Sequence, residues 1–231
     1  MRLDKYIADT GIASRKEIAR AARSGAVLLN GRAVRDVSVH IDESSDEVIY
    51  CGSKVNWRKY VYIMLNKPAG YISTTDPTEK SVMKLLDPEH TKMEMFPCGR
   101  LDIDTVGLLL ITNDGPTAHE LLSPRHHVDK TYFFRCDPPI DEAAAEKLRA
   151  GVDIGGYVTK PAGLVSRGNE GEITLREGKF HQIKRMLEAV GSKITYLRRM
   201  TFGPLKLDES LSEGEWRELT NDEIKSLLNK E

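Results

Sequence analysis

A chain of 231 residues, 40% of them hydrophobic, is long enough to bury a sizeable core in one large domain or in a large and a small one. Its net charge of −1 hides two basic regions, because eight basic residues face four acidic ones in positions 1–39 and eight face two in positions 176–206. These features argue against a disordered chain and, with only short apolar runs and a charged start, against an exported or membrane-spanning one, while the basic regions favour a polyanionic partner.

The first strong helix signal is a capping box, Ser14-Arg15-Lys16-Glu17, followed by apolar residues at helical spacing as far as Gly25. Lys16, Arg20 and Arg23 then stand at i, i+4 and i+7, so their cations share one face of the helix. Such a face suits contact with phosphates, but basic faces that meet only solvent are also common. The helix alone leaves both interpretations open.

A β-hairpin is predicted next, with Asn30-Gly31 as the turn between residues 27–29 and 32–34. Residues 2–50 resemble the S-four-like RNA-binding domain, which is named after a small-subunit ribosomal protein. The resemblance rests on Arg2-Leu3-Asp4-Lys5, Ser14-Arg15 and Val27-Leu28-Leu29-Asn30-Gly31 followed by Val34. It implies a small α/β RNA-binding domain over residues 1–52. The RNA contacts expected in it are Arg2, Lys5, Arg15, Lys16, Arg20 and Arg23.

Residues 53–59 are polar and lack periodicity, so we expect a linker there, followed by a second domain over residues 60–231. Strands are predicted at 61–65, 106–112, 131–136, 172–175 and 194–198, and helices at 117–122, 141–149, 181–190 and 221–228. Because these strands and helices do not alternate regularly, the pattern favours an α+β fold with a mixed, mainly antiparallel sheet over a doubly wound fold.

The most informative segment is Gly99-Arg100-Leu101-Asp102-Ile103-Asp104, which leads directly into the apolar strand pattern at 106–112. A turn at a sheet edge can hold a carboxylate rigidly enough for catalysis, but an aspartate in such a turn can equally cap the backbone. Asp102 and Asp104 are also spaced i and i+2, so they could pair like the carboxylates of a base-releasing N-glycosidase. The pattern itself does not decide among these alternatives.

This segment resembles the catalytic motif of pseudouridine synthases of the Rsu and Rlu type, with Asp102 at the position of the essential aspartate. Three other segments match motifs of that family in the expected order: Asn66-Lys67-Pro68-Ala69-Gly70-Tyr71, Lys130-Thr131-Tyr132, and Gly178-Lys179-Phe180-His181-Gln182-Ile183-Lys184-Arg185-Met186. Together with the N-terminal domain, the resemblance covers nearly the whole chain. The run Arg125-His126-His127 before Lys130 is more similar to the small-subunit ribosomal RNA enzyme than to the large-subunit ones.

The resemblance implies an enzyme that isomerises one uridine of small-subunit (16S) ribosomal RNA to pseudouridine. The reaction breaks an N-glycosidic bond, turns the uracil while it is bound, and forms a carbon–carbon bond, with no net oxidation or hydrolysis. We therefore expect no cofactor and no metal. The expected partner is the RNA, free or in an assembly intermediate, and the expected protein is a cytoplasmic monomer. A cytosolic location also agrees with three cysteines that form no Cys-x-x-Cys pair.

By the same resemblance, Asp102 is the reacting carboxylate, either as a nucleophile at the anomeric carbon or as a base at the neighbouring carbon. Tyr132 should lie against the uracil, and Lys184 should form the ion pair that keeps Asp102 charged and oriented. The residues expected to contact the bound nucleotide are Lys67, Arg100 and Arg125.

Each of these residues also has an ordinary structural explanation. Tyr132 could be a core residue of a strand, and Lys184 could be a surface lysine on a helix. Adjacent histidines at 126 and 127 would point to opposite faces of a strand, which disfavours a metal site. A non-catalytic RNA-binding factor is the remaining alternative class, although such a protein could lose Asp102, Tyr132 or Lys184 freely.

Overall fold

The computed structural model describes residues 1–43, 45–91, 93–123 and 128–228, which fall into two compact units. The first unit comprises Met1–Val61 and Leu86–Met95, and the second comprises Tyr62–Leu85 and Phe96–Glu231. Within the described ranges, no helix combines the length and the apolar character needed to cross a bilayer.

The first unit is a small α/β structure. Its elements are α1 (Leu3–Ala8), α2 (Arg15–Arg23), β1 (Val27–Leu29), β2 (Arg32–Ala33), β3 (Val48–Tyr50), β4 (Ser53–Lys54) and α3 (Pro88–Thr91). The strands form an antiparallel sheet in the order β2-β1-β3-β4. Helix α2 begins at the predicted capping box, in which the Ser14 side chain accepts from the Glu17 amide and the Glu17 side chain accepts from the Ser14 amide.

The segment expected as a linker is partly folded into this unit. Ser53–Lys54 forms β4 and pairs with Ile49 and Tyr50 of β3. Val55 is only 2% exposed and belongs to the core of the unit, against which Trp57 also packs. Backbone pairing and burial of two apolar side chains therefore outweigh the polar composition that predicted a linker from residue 53.

The second unit contains most of the chain. Its strands are β5 (Tyr62–Lys67), β6 (Phe96–Pro97), β7 (Val106–Thr112), β8 (Lys130–Asp137), β9 (Gly163–Ser166), β10 (Glu170–Leu175), β11 (Lys193–Arg199), β12 (Thr201–Phe202), β13 (Leu205–Lys206) and β14 (Trp216–Glu218). Its helices are α4 (Gly115–Leu122), α5 (Glu142–Ala150), α6 (Gln182–Ala189) and α7 (Asn221–Leu227), with a 3-10 turn at Val82–Leu85.

The main sheet has the order β14-β5-β7-β11-β8-β10-β9, with β6 also paired to β7. Among these described strands, every pair is antiparallel except β7 with β11. This confirms the predicted α+β class and the mainly antiparallel sheet. Strand β7 is buried along its whole length, which explains why its sequence is a continuous apolar run and not an alternating one.

One row of paired residues crosses this sheet from β5 to β10. Lys67 of β5 is paired with Gly107 of β7, Gly107 with Arg199 of β11, Arg199 with Tyr132 of β8, and Tyr132 with Ile173 of β10. Directly paired residues present their side chains to the same face of a sheet. Two cationic side chains therefore flank Gly107 on that face.

Gly107 is the point of closest approach in this row. Its φ is +98°, and a Cβ placed on it would lie 2.4 Å from the carbonyl oxygen of Arg199 and 2.9 Å from the Arg199 amide nitrogen. Real Cβ atoms do not approach backbone this closely, so β7 and β11 could keep their spacing only with glycine at this position.

We predict that Gly107→Ala lowers the free energy of unfolding by about 3 kcal/mol, because backbone strain and a steric clash act together. Gly156→Ala is the matched control. Gly156 has a φ of +85°, but apart from its chain neighbours no atom of the described residues lies within 4 Å of the place that a Cβ would occupy. The control should lose only about 1 kcal/mol, from strain alone. Urea unfolding midpoints measure both, and equal losses would contradict the importance of the β7–β11 approach.

Candidate active site

A cavity of about 750 Å³ lies in the second unit. Four of the residues singled out from sequence line it together, although they come from three separate segments: Arg100, Asp102, Tyr132 and Lys184. Arg125, the fifth, lies outside the described residues. Lys67, the sixth, is not part of the cavity wall.

The segment that carries Asp102 is a tight turn fixed by hydrogen bonds to the chain that follows β5. The Thr105 amide donates to the Asp102 carbonyl at 3.1 Å and closes the turn. The Gly70 amide donates to the Ile103 carbonyl at 2.7 Å. The Ser73 hydroxyl donates to the Leu101 carbonyl and accepts from the Leu101 amide, both at 3.1 Å.

Lys67 stabilises the same turn through hydrogen bonds from its side chain. Its side chain is fully buried, and its ammonium donates to the carbonyls of Asp102 at 3.1 Å, Thr105 at 2.8 Å, Ile103 at 3.4 Å and Pro68 at 3.1 Å. Burial lowers the pKa of Lys67 to about 8, although Asp104 and Asp102 partly oppose the shift. The expectation that Lys67 contacts substrate is therefore wrong in this geometry, and the residue supports the turn.

Lys184, on the first turn of α6, connects two carboxylates. Its ammonium lies 3.1 Å from Asp102 Oδ2 and 2.6 Å from Asp104 Oδ1. Partial burial works against the charge, but the hydrogen bonds to Asp104 and Asp102 outweigh it and raise the pKa of Lys184. The ion pair between Lys184 and Asp102, expected from the sequence, is thus present, and its sharing with Asp104 was not foreseen.

Asp104 differs from Asp102 in position and exposure. Backbone capping was one of the alternatives for an aspartate in this turn, but the Asp104 side chain points to Lys184. The buried Thr105 hydroxyl has no hydrogen-bond partner among the described residues. Partial burial alone would raise the pKa of Asp104, but the hydrogen bond and charge of Lys184 outweigh it, so the pKa is lowered. Asp104 is 64% exposed and lies outside the cavity wall, whereas Asp102 is 27% exposed within it.

Two further residues of the wall lie beside Asp102. His181, at the start of α6, has a left-handed φ of +51°, and its Nε2 lies 3.7 Å from Asp102 Oδ1. Phe180 stacks on His181 with 3.8 Å between ring centroids and is 76% exposed. The sequence pattern gave no sign of this placement, because it depends on the unusual backbone at residue 181.

Glu177 anchors the segment between β10 and α6. It is 4% exposed and accepts hydrogen bonds from the Tyr157 hydroxyl at 2.6 Å, the Lys160 amide at 3.0 Å and Gln182 Nε2 at 2.7 Å. Burial alone would raise the pKa of Glu177, but these three hydrogen bonds outweigh it, so the pKa is lowered. Gln182 in turn accepts from the Lys179 amide at 2.9 Å, so the start of α6 is fixed two residues before Lys184.

In the first unit, the expected RNA contacts fall into two groups. Arg2 is engaged by Asp4 through Nε at 3.0 Å and Nη2 at 2.9 Å, so its guanidinium already has a partner. The remaining cations are exposed, and within residues 1–43 and the other described ranges they form no ion pair: Lys5, Arg15, Lys16, Arg20 and Arg23. Three of these lie on one face of α2, as the spacing predicted.

Sequence comparison matches residues 61–189 to the RNA pseudouridylate synthase family. The chain belongs to this family. Residues 1–48 match the S4 domain. This RNA pseudouridine synthase is 45% identical to an uncharacterised RNA pseudouridine synthase of Bacillus subtilis strain 168, with 99% of this chain and 98% of the relative covered.

Two other relatives match over almost their whole length. The ribosomal small subunit pseudouridine synthase A of Escherichia coli K12 is 40% identical, with 99% of this chain and 100% of that protein covered. A crystal structure of a pseudouridylate synthase superposes with a TM-score of 0.69 at 37% identity, covering 98% of this chain and 99% of the other. The match to each of these relatives therefore extends over both units of the synthase.

We predict that Lys184→Met slows single-turnover isomerisation by about a hundredfold, because Asp102 loses the cation that orients it and the two carboxylates are left to repel each other. Lys184→Arg keeps the charge and should remain within about tenfold of wild type. Equal single-turnover rates for the wild-type and Met proteins would show that the ion pair has no catalytic importance.

Proposed function

We propose that this synthase isomerises a uridine of small-subunit ribosomal RNA, with Asp102 as the reacting carboxylate and without a cofactor. The observation that carries the proposal is the position of Asp102, which lines the same cavity as Tyr132 and is bound by Lys184. The likeness to the E. coli small-subunit enzyme over 99% of this chain supports the choice of RNA.

The arrangement suits either chemical route open to a carboxylate. Asp102 can attack the anomeric carbon and form an ester as the N1–C1′ bond breaks, or it can take the C2′ proton as that bond breaks. The uracil then turns within the cavity and bonds to the sugar through C5. The ion pair with Lys184 holds the Asp102 carboxylate in one orientation for the first step in both routes.

Tyr132 supplies an aromatic face in the same cavity. It is half-buried on β8, where its ring can pack against a flipped base and its hydroxyl can assist removal of the C5 proton after the new bond has formed. Arg100 is exposed at the cavity and can contact the backbone phosphate of the flipped nucleotide.

The N-glycosidase alternative requires two carboxylates that face one glycosidic bond. Asp104 lies outside the cavity wall and is engaged by Lys184, so only one of the two aspartates is placed to react. A purely RNA-binding role does not explain why Asp102, Tyr132 and Lys184 line one cavity.

The S4 domain is suited to hold the RNA, because its exposed cations on α2 can neutralise phosphates. We further propose that the enzyme acts as a monomer in the cytoplasm on RNA that is free or partly assembled. The thiols of Cys51, Cys98 and Cys136 are free, which agrees with a reducing compartment.

We predict that Asp102→Asn lowers the rate of isomerisation by at least about a thousandfold, because an amide can neither attack nor deprotonate the sugar. The measurement is tritium release from small-subunit RNA transcripts labelled at uracil C5, with free uracil followed in parallel. Asp104→Asn, which removes the other carboxylate beside Lys184, should be far milder. Comparable losses in the two variants would contradict the assignment of Asp102, and free uracil would indicate a glycosidase.

We also predict that replacing Lys16, Arg20 and Arg23 together by glutamine weakens RNA binding and makes it less dependent on salt. Each lost phosphate contact should reduce the slope of log affinity against log salt by about 0.7 to 0.9. The control replaces three exposed lysines of the second unit, Lys84, Lys147 and Lys225, which lie outside both basic regions of the sequence, and should change the slope less. Identical slopes for both triple variants would remove α2 from the RNA interface.

A further inference from the structure

Two buried cations form part of the cavity wall on the face of the main sheet. Arg199 is 1% exposed and Lys130 is 7% exposed, and both line the cavity that contains Asp102. Arg199 is paired directly with Tyr132, and Lys130 precedes Tyr132 by two residues on β8, so all three side chains share one face of the sheet. We call Arg199 and Lys130 the floor cations.

The floor cations are poorly neutralised. Arg199 Nε donates to the Leu108 carbonyl at 2.6 Å, but its buried Nη2 has no hydrogen-bond partner among the described residues. Lys130 Nζ donates to the Val128 carbonyl at 3.0 Å. Neither cation forms an ion pair with any carboxylate of the described ranges, in contrast to Lys184, which has two.

The two cations also act on each other. Both lie near the ring of Phe202, with Lys130 Nζ 5.4 Å and Arg199 Cζ 5.3 Å from its centroid. Burial, and after it the positive charge of Arg199, lowers the pKa of Lys130 to about 8. Two buried like charges without a counter-ion are unfavourable, and an anion in the cavity would relieve both of them.

The isomerisation supplies such an anion. In either route, the electron pair of the N1–C1′ bond stays with N1, while the negative charge of Asp102 is consumed by its new bond to C1′ or to the C2′ proton. One unit of negative charge therefore moves from Asp102 to the detached ring, where it is shared among N1, O2 and O4. The floor cations lie in the same cavity wall as Tyr132, where the proposed function puts the uracil.

Resting on that proposed function, we propose that Arg199 and Lys130 are further catalytic residues, which bind the uracil anion through its carbonyl oxygens O2 and O4 while the ring turns. Hydrogen-bond donors aimed at charge that appears only during the reaction lower the barrier without tightening substrate binding. A backbone phosphate is a less suitable occupant, because both cations are buried whereas Arg100 is exposed.

The first test compares Arg199→Gln, Arg199→Lys and Lys130→Met in single-turnover tritium release from labelled small-subunit RNA. Arg199→Gln should lose about a hundredfold or more in rate, Lys130→Met at least about tenfold, and Arg199→Lys should recover part of the loss. RNA affinity should stay within about twofold of wild type. Lys130→Met keeps the bonds of Arg199, so a defect there cannot arise from the lost contact with Leu108. Rates within about threefold of wild type for both charge-removing variants would overturn the proposal.

The second test does not depend on turnover. The probe is 5-nitrouracil, a uracil analogue that ionises near neutral pH with a change in its absorption spectrum. Wild type should bind the anion at least about tenfold more tightly than the neutral form, and Arg199→Gln and Lys130→Met should lose this preference. Lys179→Met is the control, because it removes an exposed cation from the same cavity wall and should keep the preference.

The two tests separate this inference from the proposed function. Wild-type protein that releases no tritium from small-subunit RNA would contradict the proposed function, while a preference for the probe anion that depends on the floor cations would still support an anion site. Binding without preference for the anion, no binding of the probe, or an equal preference in wild type and both floor variants would overturn the site.

Discussion

The buried ammonium of Lys67 fixes the turn on which the active site depends. Three of its four carbonyl partners belong to residues 102–105, so the backbone that carries Asp102 cannot shift without breaking hydrogen bonds to a buried charge. Lys67 is the last residue of β5 and is paired with Gly107 of β7. The position of the turn is therefore also fixed relative to the centre of the main sheet. The position of the Asp102 carboxylate is thus set by the sheet and not by the flexibility of a loop.

The row Lys67–Gly107–Arg199–Tyr132 extends this control across four strands. Gly107 lets β7 and β11 approach, and the side chains on either side of it are both cationic. The charges of Lys67 and Arg199 have different surroundings. The ammonium of Lys67 is hydrogen-bonded to backbone carbonyls, whereas the Nη2 of Arg199 has no acceptor among the described residues. Within this one row, Lys67 stabilises the turn that carries Asp102, and Arg199 supplies a cation to the cavity in which the uracil is proposed to lie.

Sequence predicted the elements with strong local signals and missed those that depend on distant partners. The continuous apolar run of β7 and the capping box at Ser14 specify their structures locally, and both are found as expected. Trp216–Glu218 was not predicted as a strand, because it pairs with β5, about 150 positions earlier in the chain. The motif resemblance brought Asp102, Tyr132 and Lys184 into one site and included Lys130, but Arg199 joins that site only when β8 and β11 are paired.

Exposed and buried charges therefore have different proposed roles in this enzyme. The cations on α2 lie in solvent, where each contact is weak and screened by salt, so their proposed contribution to RNA binding depends on their number. Five charged residues of the cavity wall are partly or wholly buried, where screening is weak and each interaction is strong: Asp102, Lys130, Glu177, Lys184 and Arg199. In the proposed mechanism, Lys184 stabilises the negative charge on Asp102 before the N1–C1′ bond breaks, and the floor cations stabilise it on the detached uracil until the new bond forms. In the proposed reaction, one negative charge thus moves between two places in the cavity wall, each of which already holds a cation.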